Sequence, residues 1–145
     1  IWVTTHYRAE EIQDHLGDGD HLGAQIQYIT EPIPLGTAGG IRQVPVLSEE
    51  TPILVCNSDN LHSINFSALI DYHIASRAWA TLAGVSIVTQ RALSLFPQGQ
   101  RLDIPTVIEE LLDQGLPAGA FECSGYWSDV GNPESLQRVR SEHKT

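Results

Sequence analysis

Ile53-Leu54-Val55-Cys56-Asn57-Ser58-Asp59-Asn60 is the stretch that decides the fold. Its apolar run, Ile53 to Cys56, does not alternate, and so reads as a strand buried on both faces. The run stops abruptly at Asn57-Ser58-Asp59-Asn60. In open α/β sheets ligands bind beyond the carboxyl ends of strands. Asp59 is therefore placed to hold a metal ion or a substrate hydroxyl, although an Asp after a strand is also a common turn former or helix cap. Far downstream, Gly125-Tyr126-Trp127-Ser128-Asp129-Val130-Gly131-Asn132-Pro133-Glu134 carries a second isolated Asp in a Gly-flanked turn. Asp129 could equally form only an Asx-turn before Gly131. As a pair, two distant carboxylates able to share one Mg²⁺ point to phosphate chemistry.

Outward from this run, strand and helix patterns alternate. Ile1 to Val3 read as the end of a strand, and Thr4 or Thr5 as the cap of a helix whose inner face is Ala9, Ile12 and Leu16. Gly17-Asp18-Gly19-Asp20 ends it. Gln25 to Ile29 reads as a strand, with Ile26 and Tyr28 on one side. Phe66, Leu69, Ile70, His73 and Ile74 mark a further amphipathic helix. Val85 to Val88 is a short strand and Arg91 to Phe96 a short helix. Asp103 and Pro105 start a helix through Leu112 that Gly115 ends. Ala118 to Phe121 reads as a strand. Asn132-Pro133-Glu134 opens the last helix, with Leu136 and Val139 inside. The expectation is an α/β, Rossmann-like three-layer sandwich, a mostly parallel sheet with helices on both faces, in a single domain over 1–145.

Composition narrows the function. The chain has 145 residues, 41% hydrophobic and 18% charged, enough for one domain with its own core. Eighteen acidic against eight basic residues give a net charge of −10. That argues against nucleic-acid and anionic-membrane surfaces, which need basic patches. A nucleotide substrate stays open, because a metal ion and backbone N–H groups offset phosphate charge locally. Cys56 and Cys123 make neither a disulfide framework nor a metal site, and Cys56 reads as a small core residue. No signal peptide or long apolar span is evident, so a cytoplasmic location is expected. The opening Ile1-Trp2-Val3, apolar and without Met, is expected of the middle of a larger protein, and its exposed sheet margin of self-association, so a homo-oligomer is possible.

Glu31-Pro32-Ile33-Pro34-Leu35-Gly36-Thr37-Ala38-Gly39-Gly40 is a second candidate site. Its small residues let backbone approach a flat ligand, and Thr37 can cap the helix that follows, through Val44, while neighbouring N–H groups face the ligand. A Gly-rich turn that simply caps a helix fits the pattern as well. None of His6, His15, His21, His62, His73 and His143 shows a metal-ligand spacing. His73, on an inner helix face, reads as packed and hydrogen-bonded; His6 and Tyr7, past a strand end, as shaping the cleft. There is no nucleophile elbow, Walker loop or dinucleotide fingerprint.

In combination these segments resemble the sugar-1-phosphate nucleotidyltransferases, most of all the mannose-1-phosphate guanylyltransferase branch. Thr4-Thr5-His6-Tyr7-Arg8-Ala9-Glu10-Glu11-Ile12 resembles the family's "N-x-H-Y-x-A-E-x-I", and Glu31-Pro32 with Leu35 to Gly40 its base-recognition loop "E-P-x-x-L-G-T-A-G". Asn57-Ser58-Asp59 resembles its "N-G-D" metal motif, and Gly125 to Glu134 its "G-x-W-x-D-I-G-T-P-E". The resemblance implies nucleotide contacts from Leu35, Gly36, Thr37, Ala38, Gly39 and Asn57, and catalytic Mg²⁺ on Asp59 and Asp129. Leu82-Ala83-Gly84-Val85-Ser86-Ile87-Val88 resembles a family strand that sets Ala83 and Gly84 beside the sugar. The implied substrates are a nucleoside triphosphate and a sugar-1-phosphate. The implied reaction is attack of the sugar phosphate on the α-phosphate, with release of pyrophosphate.

The sequence also departs from the family. The first strand, the "G-x-G-T-R" triphosphate loop with its Lys, and a middle segment with "E-K-P" are expected to be missing, and Lys144 is the sole lysine. Ser58 stands where the metal motif has Gly, in a turn that prefers positive φ. Three readings follow: an enzyme represented by a fragment that is inactive or nearly so alone; a degenerate, binding or regulatory domain that holds a nucleotide sugar or a partner chain without turnover; and, least favoured, a purely structural α/β domain.

Overall fold

The computed structural model describes residues 1–142, so His143 and Lys144 lie outside the described residues. The strands are β1 (Trp2–Thr5), β2 (Gln27–Thr30), β3 (Pro52–Val55), β4 (Asn60–His62), β5 (Ala80–Leu82), β6 (Ser86–Thr89), β7 (Ala118–Ala120) and β8 (Trp127–Asp129). The helices are α1 (Ala9–Leu16), α2 (Gly36–Gly39), α3 (Phe66–Ser76), α4 (Gln90–Leu93), α5 (Ile104–Asp113) and α6 (Pro133–Glu142).

The central sheet has the order β3-β6-β5-β7, with β1-β2 and β4-β8 as separate two-stranded ribbons. The chain is α/β, but the expected mostly parallel sheet is corrected to a mixed one. Among the described residues only β1–β2 and β5–β7 pair in parallel, whereas β3–β6, β5–β6 and β4–β8 are antiparallel. The reason is local. The Leu82 to Val88 stretch is not one strand, because it reverses at Ala83-Gly84-Val85. The Ala83 N–H donates to the Val85 carbonyl at 2.8 Å, and Gly84 takes a φ of +76°, a conformation that favours glycine. A reversal this tight can only join antiparallel neighbours.

Period-2 alternation along β6 then sorts the core onto two faces. Val88 packs with Ala80, Leu93, Val107 and Leu111, joined by Ile53 and Val55 of β3. Ile87 packs instead with Leu69, Ala83 and Val85, joined by Leu54 and Ile70. Helix α5 thus covers one face and α3 the other. Pro105 sits in the first turn of α5, where its missing N–H costs nothing, and Ile104, Val107 and Leu111 form its buried stripe. Full burial of each such side chain contributes about 1.5–3 kcal/mol. Helix α3 starts at Asn65, whose side chain accepts from the Ala68 N–H at 3.1 Å. Its His73 is buried as expected, with Nδ1 hydrogen-bonded to the Thr81 hydroxyl at 2.8 Å. Burial lowers the His73 pKa from its ordinary value.

Other expectations are corrected. Strand β3 is an edge strand, half-buried rather than covered on both faces, and Cys56 lies exposed just past its end. Partial packing still raises the Cys56 thiol pKa. Thr4 and Thr5 belong to β1, and α1 instead follows Arg8, held left-handed at φ 54° with no side-chain cap. Ile29, not Ile26 or Tyr28, is the buried residue of β2. In α6 Val139 is buried but Leu136 is exposed.

Candidate functional site

The ribbon β4–β8 brings the two candidate carboxylates together. Asn60 pairs with Asp129, Leu61 with Ser128 and His62 with Trp127. The pairing extends at both ends. The Val130 N–H donates to the Asp59 carbonyl at 2.8 Å, and the Ser63 N–H to the Tyr126 carbonyl at 3.0 Å. Gly131 stands between the two side chains. A Cβ on Gly131 would lie 3.0 Å from Asp129 Oδ1 and 3.3 Å from Asp59 Oδ2, so both oxygens flank the space its hydrogen leaves open. The Gly131 N–H also donates to Asp129 Oδ1 at 2.7 Å. Asp129 therefore forms the Asx-turn and faces Asp59 at once. Beneath, buried Ser128 receives a hydrogen bond from Arg138 of α6 at 3.2 Å.

The Gly-rich loop is built from its ends inward. Buried Glu31 accepts the Leu35 N–H through Oε2 at 2.9 Å. Across the loop, the Leu102 N–H donates to the Leu35 carbonyl at 2.8 Å, and the Leu102 carbonyl accepts from the Ala38 and Gly39 N–H groups at 2.8 and 3.2 Å. The Thr37 N–H donates to Asp103 Oδ1 at 3.0 Å. The Thr37 hydroxyl accepts the Ile104 N–H at 2.9 Å, so Thr37 serves the N-terminus of α5 and not of its own helix, a correction to its expected capping role. The N–H groups expected to face a ligand are thus engaged by the segment 102–103. The Thr37 N–H is the main reason that the Asp103 carboxyl titrates below its usual range; partial desolvation opposes this, and the Arg101 charge helps.

Two adjoining clefts flank this framework. One, of about 430 Å³, is lined by Thr37, Asn57, Gly84, Ser86 and Asp103 among others. The second, of about 380 Å³, is lined by Ala83, Gly84, Phe121 and Trp127 with parts of the 123–126 turn. They meet at Leu82 and Gly84. The Trp127 ring lies 3.3 Å from where a Gly84 Cβ would be, which leaves no slack for a side chain there. Of the residues expected to contact nucleotide, Thr37 and Asn57 line the first cleft. Leu35, Ala38 and Gly39 are buried and Gly36 is half-buried, and none of the four lines that cleft, so of the loop only Thr37 reaches it. Asp103 and Trp127 are the functional candidates that sequence reasoning missed. Leu102-Asp103-Ile104-Pro105 reads there only as a helix start.

Among the described residues no group of three or more His, Cys, Asp or Glu forms a protein-only metal cage. The donor set is instead two converging carboxylates. Mg²⁺ keeps several waters and takes one or two carboxylates plus phosphate oxygens, so Asp59 and Asp129 fit it. No helix among the described residues is long and apolar enough to cross a membrane.

Comparison with known proteins agrees with this framework. The family model for nucleotidyl transferases matches residues 1–96. The mannose-1-phosphate guanylyltransferase of Mycobacterium tuberculosis is 34% identical over 113 residues, covering 78% of this chain and 32% of that protein. The N-acetylmuramate alpha-1-phosphate uridylyltransferase of Neisseria meningitidis is 41% identical over 86 residues, covering 54% of this chain and 37% of that protein. Among solved structures, HddC from Yersinia pseudotuberculosis complexed with GMP-PN superposes with a TM-score of 0.81 at 16% identity, covering 99% of this chain and 78% of that one. The chain thus spans about a third of the length of these curated relatives. With the family model covering well over half of it, the chain belongs to the nucleotidyl transferase family.

Proposed function

We propose that this chain carries the metal-binding and substrate-lining part of a sugar-1-phosphate nucleotidyltransferase, which joins a nucleoside triphosphate to a sugar-1-phosphate and releases pyrophosphate. The observation that carries this reading is the convergence of Asp59 and Asp129 on Gly131, in a fold whose two clefts adjoin at Gly84. Asp59 and Asp129 would hold Mg²⁺, which neutralises phosphate charge when bound. Thr37 and Asn57 would line the nucleotide side, with Gly36, Ala38, Gly39 and Leu35 building the loop that holds Thr37. Ala83 and Gly84 would face the sugar. The chemistry then rests on positioning two substrates end to end, one in each cleft.

Charge supports a role as part of a larger catalytic unit. A triphosphate carries several negative charges, and this chain has a net charge of −10. Mg²⁺ on two aspartates offsets only part of that, so a basic segment from outside these residues is required for full turnover. The test is pyrophosphate release with Mg²⁺, each nucleoside triphosphate and a panel of sugar-1-phosphates. It compares this chain with a version extended by the family's triphosphate loop and middle segment. The expected result is activity in the extended protein that disappears in Asp59→Ala or Asp129→Ala without a change in melting temperature. Extended protein that binds nucleotide sugar but never turns over would favour a regulatory domain instead.

A further inference from the structure

Loop and cleft chemistry at α2 conflict with the simple picture of backbone donors facing a base. The N–H groups of Thr37, Ala38 and Gly39 are already bonded to Asp103 Oδ1 and the Leu102 carbonyl. What the wall of the larger cleft presents beside Thr37 is therefore an acceptor, the Asp103 carboxylate. Its side chain remains 40% exposed. Oδ1 lies against the loop, only 2.5 Å from where a Gly36 Cβ would be, so glycine at position 36 is what admits the carboxylate. Gly36 also has a φ of +77°. Among the described residues Oδ2 meets only Arg101 Nε, at 3.4 Å, in an exposed ion pair. Such pairs contribute little and yield to a better partner.

Resting on the nucleotide reading of this cleft, we infer that Asp103 is a specificity-determining residue that selects a base with adjacent N–H donors, as guanine has at N1 and N2. A carboxylate fixed through one oxygen to the loop is oriented to accept, and adenine offers a bare acceptor at its ring N1. Hypoxanthine keeps the N1–H and lacks the amino group, so it isolates the second donor. As a carboxylate, Asp103 offers the base acceptor oxygens only.

The test is calorimetric titration of the extended protein, in the presence of Mg²⁺, with GTP, ITP and ATP, repeated on its Asp103→Asn variant. The amide oxygen of Asn can still accept the Thr37 N–H, which keeps the loop in place, but its NH₂ meets the base as a donor. Melting temperature is measured alongside. In the wild type GTP should bind about tenfold or more tighter than ITP and ATP, the range of a bidentate base contact. In Asp103→Asn that preference should collapse to within about threefold, with ATP unweakened. A preference that survives in Asp103→Asn, or one absent from the wild type, would overturn the inference while leaving the nucleotide site standing. Equal weakening for all nucleotides would also overturn it, since that marks a residue that only positions the loop. Failure of the wild type to bind any nucleotide would overturn both readings.

Discussion

A methyl group at position 131 should disable the carboxylate pair while leaving the fold intact. Gly131 is absent from the residues with left-handed backbone, so Gly131→Ala meets no backbone strain and acts through its Cβ alone. Ordinary contact begins near 3.4 Å, and the new Cβ would stand 3.0 Å from Asp129 Oδ1. The oxygen must retreat by roughly 0.4 Å, or the turn that holds it through the 2.7 Å Gly131 N–H bond must open. Mg²⁺ demands ligand distances of about 2.0–2.1 Å in near-ideal octahedral geometry, so a shift of this size is a large fraction of the tolerance. Disturbing groups that orient a metal ligand typically costs about ten- to a hundredfold in metal affinity. The stability change should stay within about 1 kcal/mol, because the site is exposed and Ala restricts the unfolded chain. With Mn²⁺ as a paramagnetic stand-in, the free ion can be counted by electron paramagnetic resonance while protein and nucleotide are titrated. Wild-type Mn²⁺ affinity in Gly131→Ala would refute the claim that Asp59 and Asp129 converge on one ion. Loss of affinity with a collapsed melting temperature would refute the claim that the effect is local.

Three further outcomes are expected. Thr81→Val is nearly isosteric but strips fully buried His73 Nδ1 of its partner, so unfolding free energy should fall by about 1–3 kcal/mol, read from urea midpoints. Leu111→Ala, at a site with no exposure, should cost about 2–5 kcal/mol, and a loss below 1 kcal/mol would mean that the α5 face is not the packed core. The third concerns pH. Burial depresses the folded pKa of His73 below the ordinary histidine range, so the folded state favours the neutral ring. Its contribution is complete above the unfolded pKa and declines as pH falls from there toward the depressed folded value, because the unfolded chain takes up the proton first. Urea midpoints between pH 7.5 and 5.5 should drop more in the wild type than in His73→Gln, and parallel declines would contradict the assignment.

Much of this architecture is legible in the residues, and the exceptions have physical reasons. Helix α5 is readable because Ile104, Val107 and Leu111 repeat on one face after an Asp and a Pro, signals confined to consecutive residues. His73 is readable because its apolar neighbours leave little but a buried bond for it. By contrast β4, β5 and β8 are three-residue strands, too short for alternation to register. The apolar run at β3 indicates burial but not that the strand lies at a sheet edge, since edge position depends on which distant segments pair. Strand direction is not legible, because alternation of strands and helices implies crossovers, whereas Gly84 makes a hairpin. Asp59 and Asp129 stand out singly, yet the glycine that keeps the gap between them open is visible only once β8 lies beside β4. Asp103 is hidden for a related reason, because its hydrogen-bond partner Thr37 is 66 residues away in the chain.

The β4–β8 ribbon also dictates when the site comes into being. The bond from the Tyr126 N–H to Ser63 Oγ closes a span of 63 residues. Bringing the ends of such a loop together costs roughly 4 kcal/mol of chain entropy before any contact rewards it. The carboxylate pair is thus a product of high contact order, and its closure costs more chain entropy than that of the local β5–β6 hairpin. During synthesis it cannot exist until β8 has left the ribosome, and a folding intermediate that holds the central sheet would still be blind to metal.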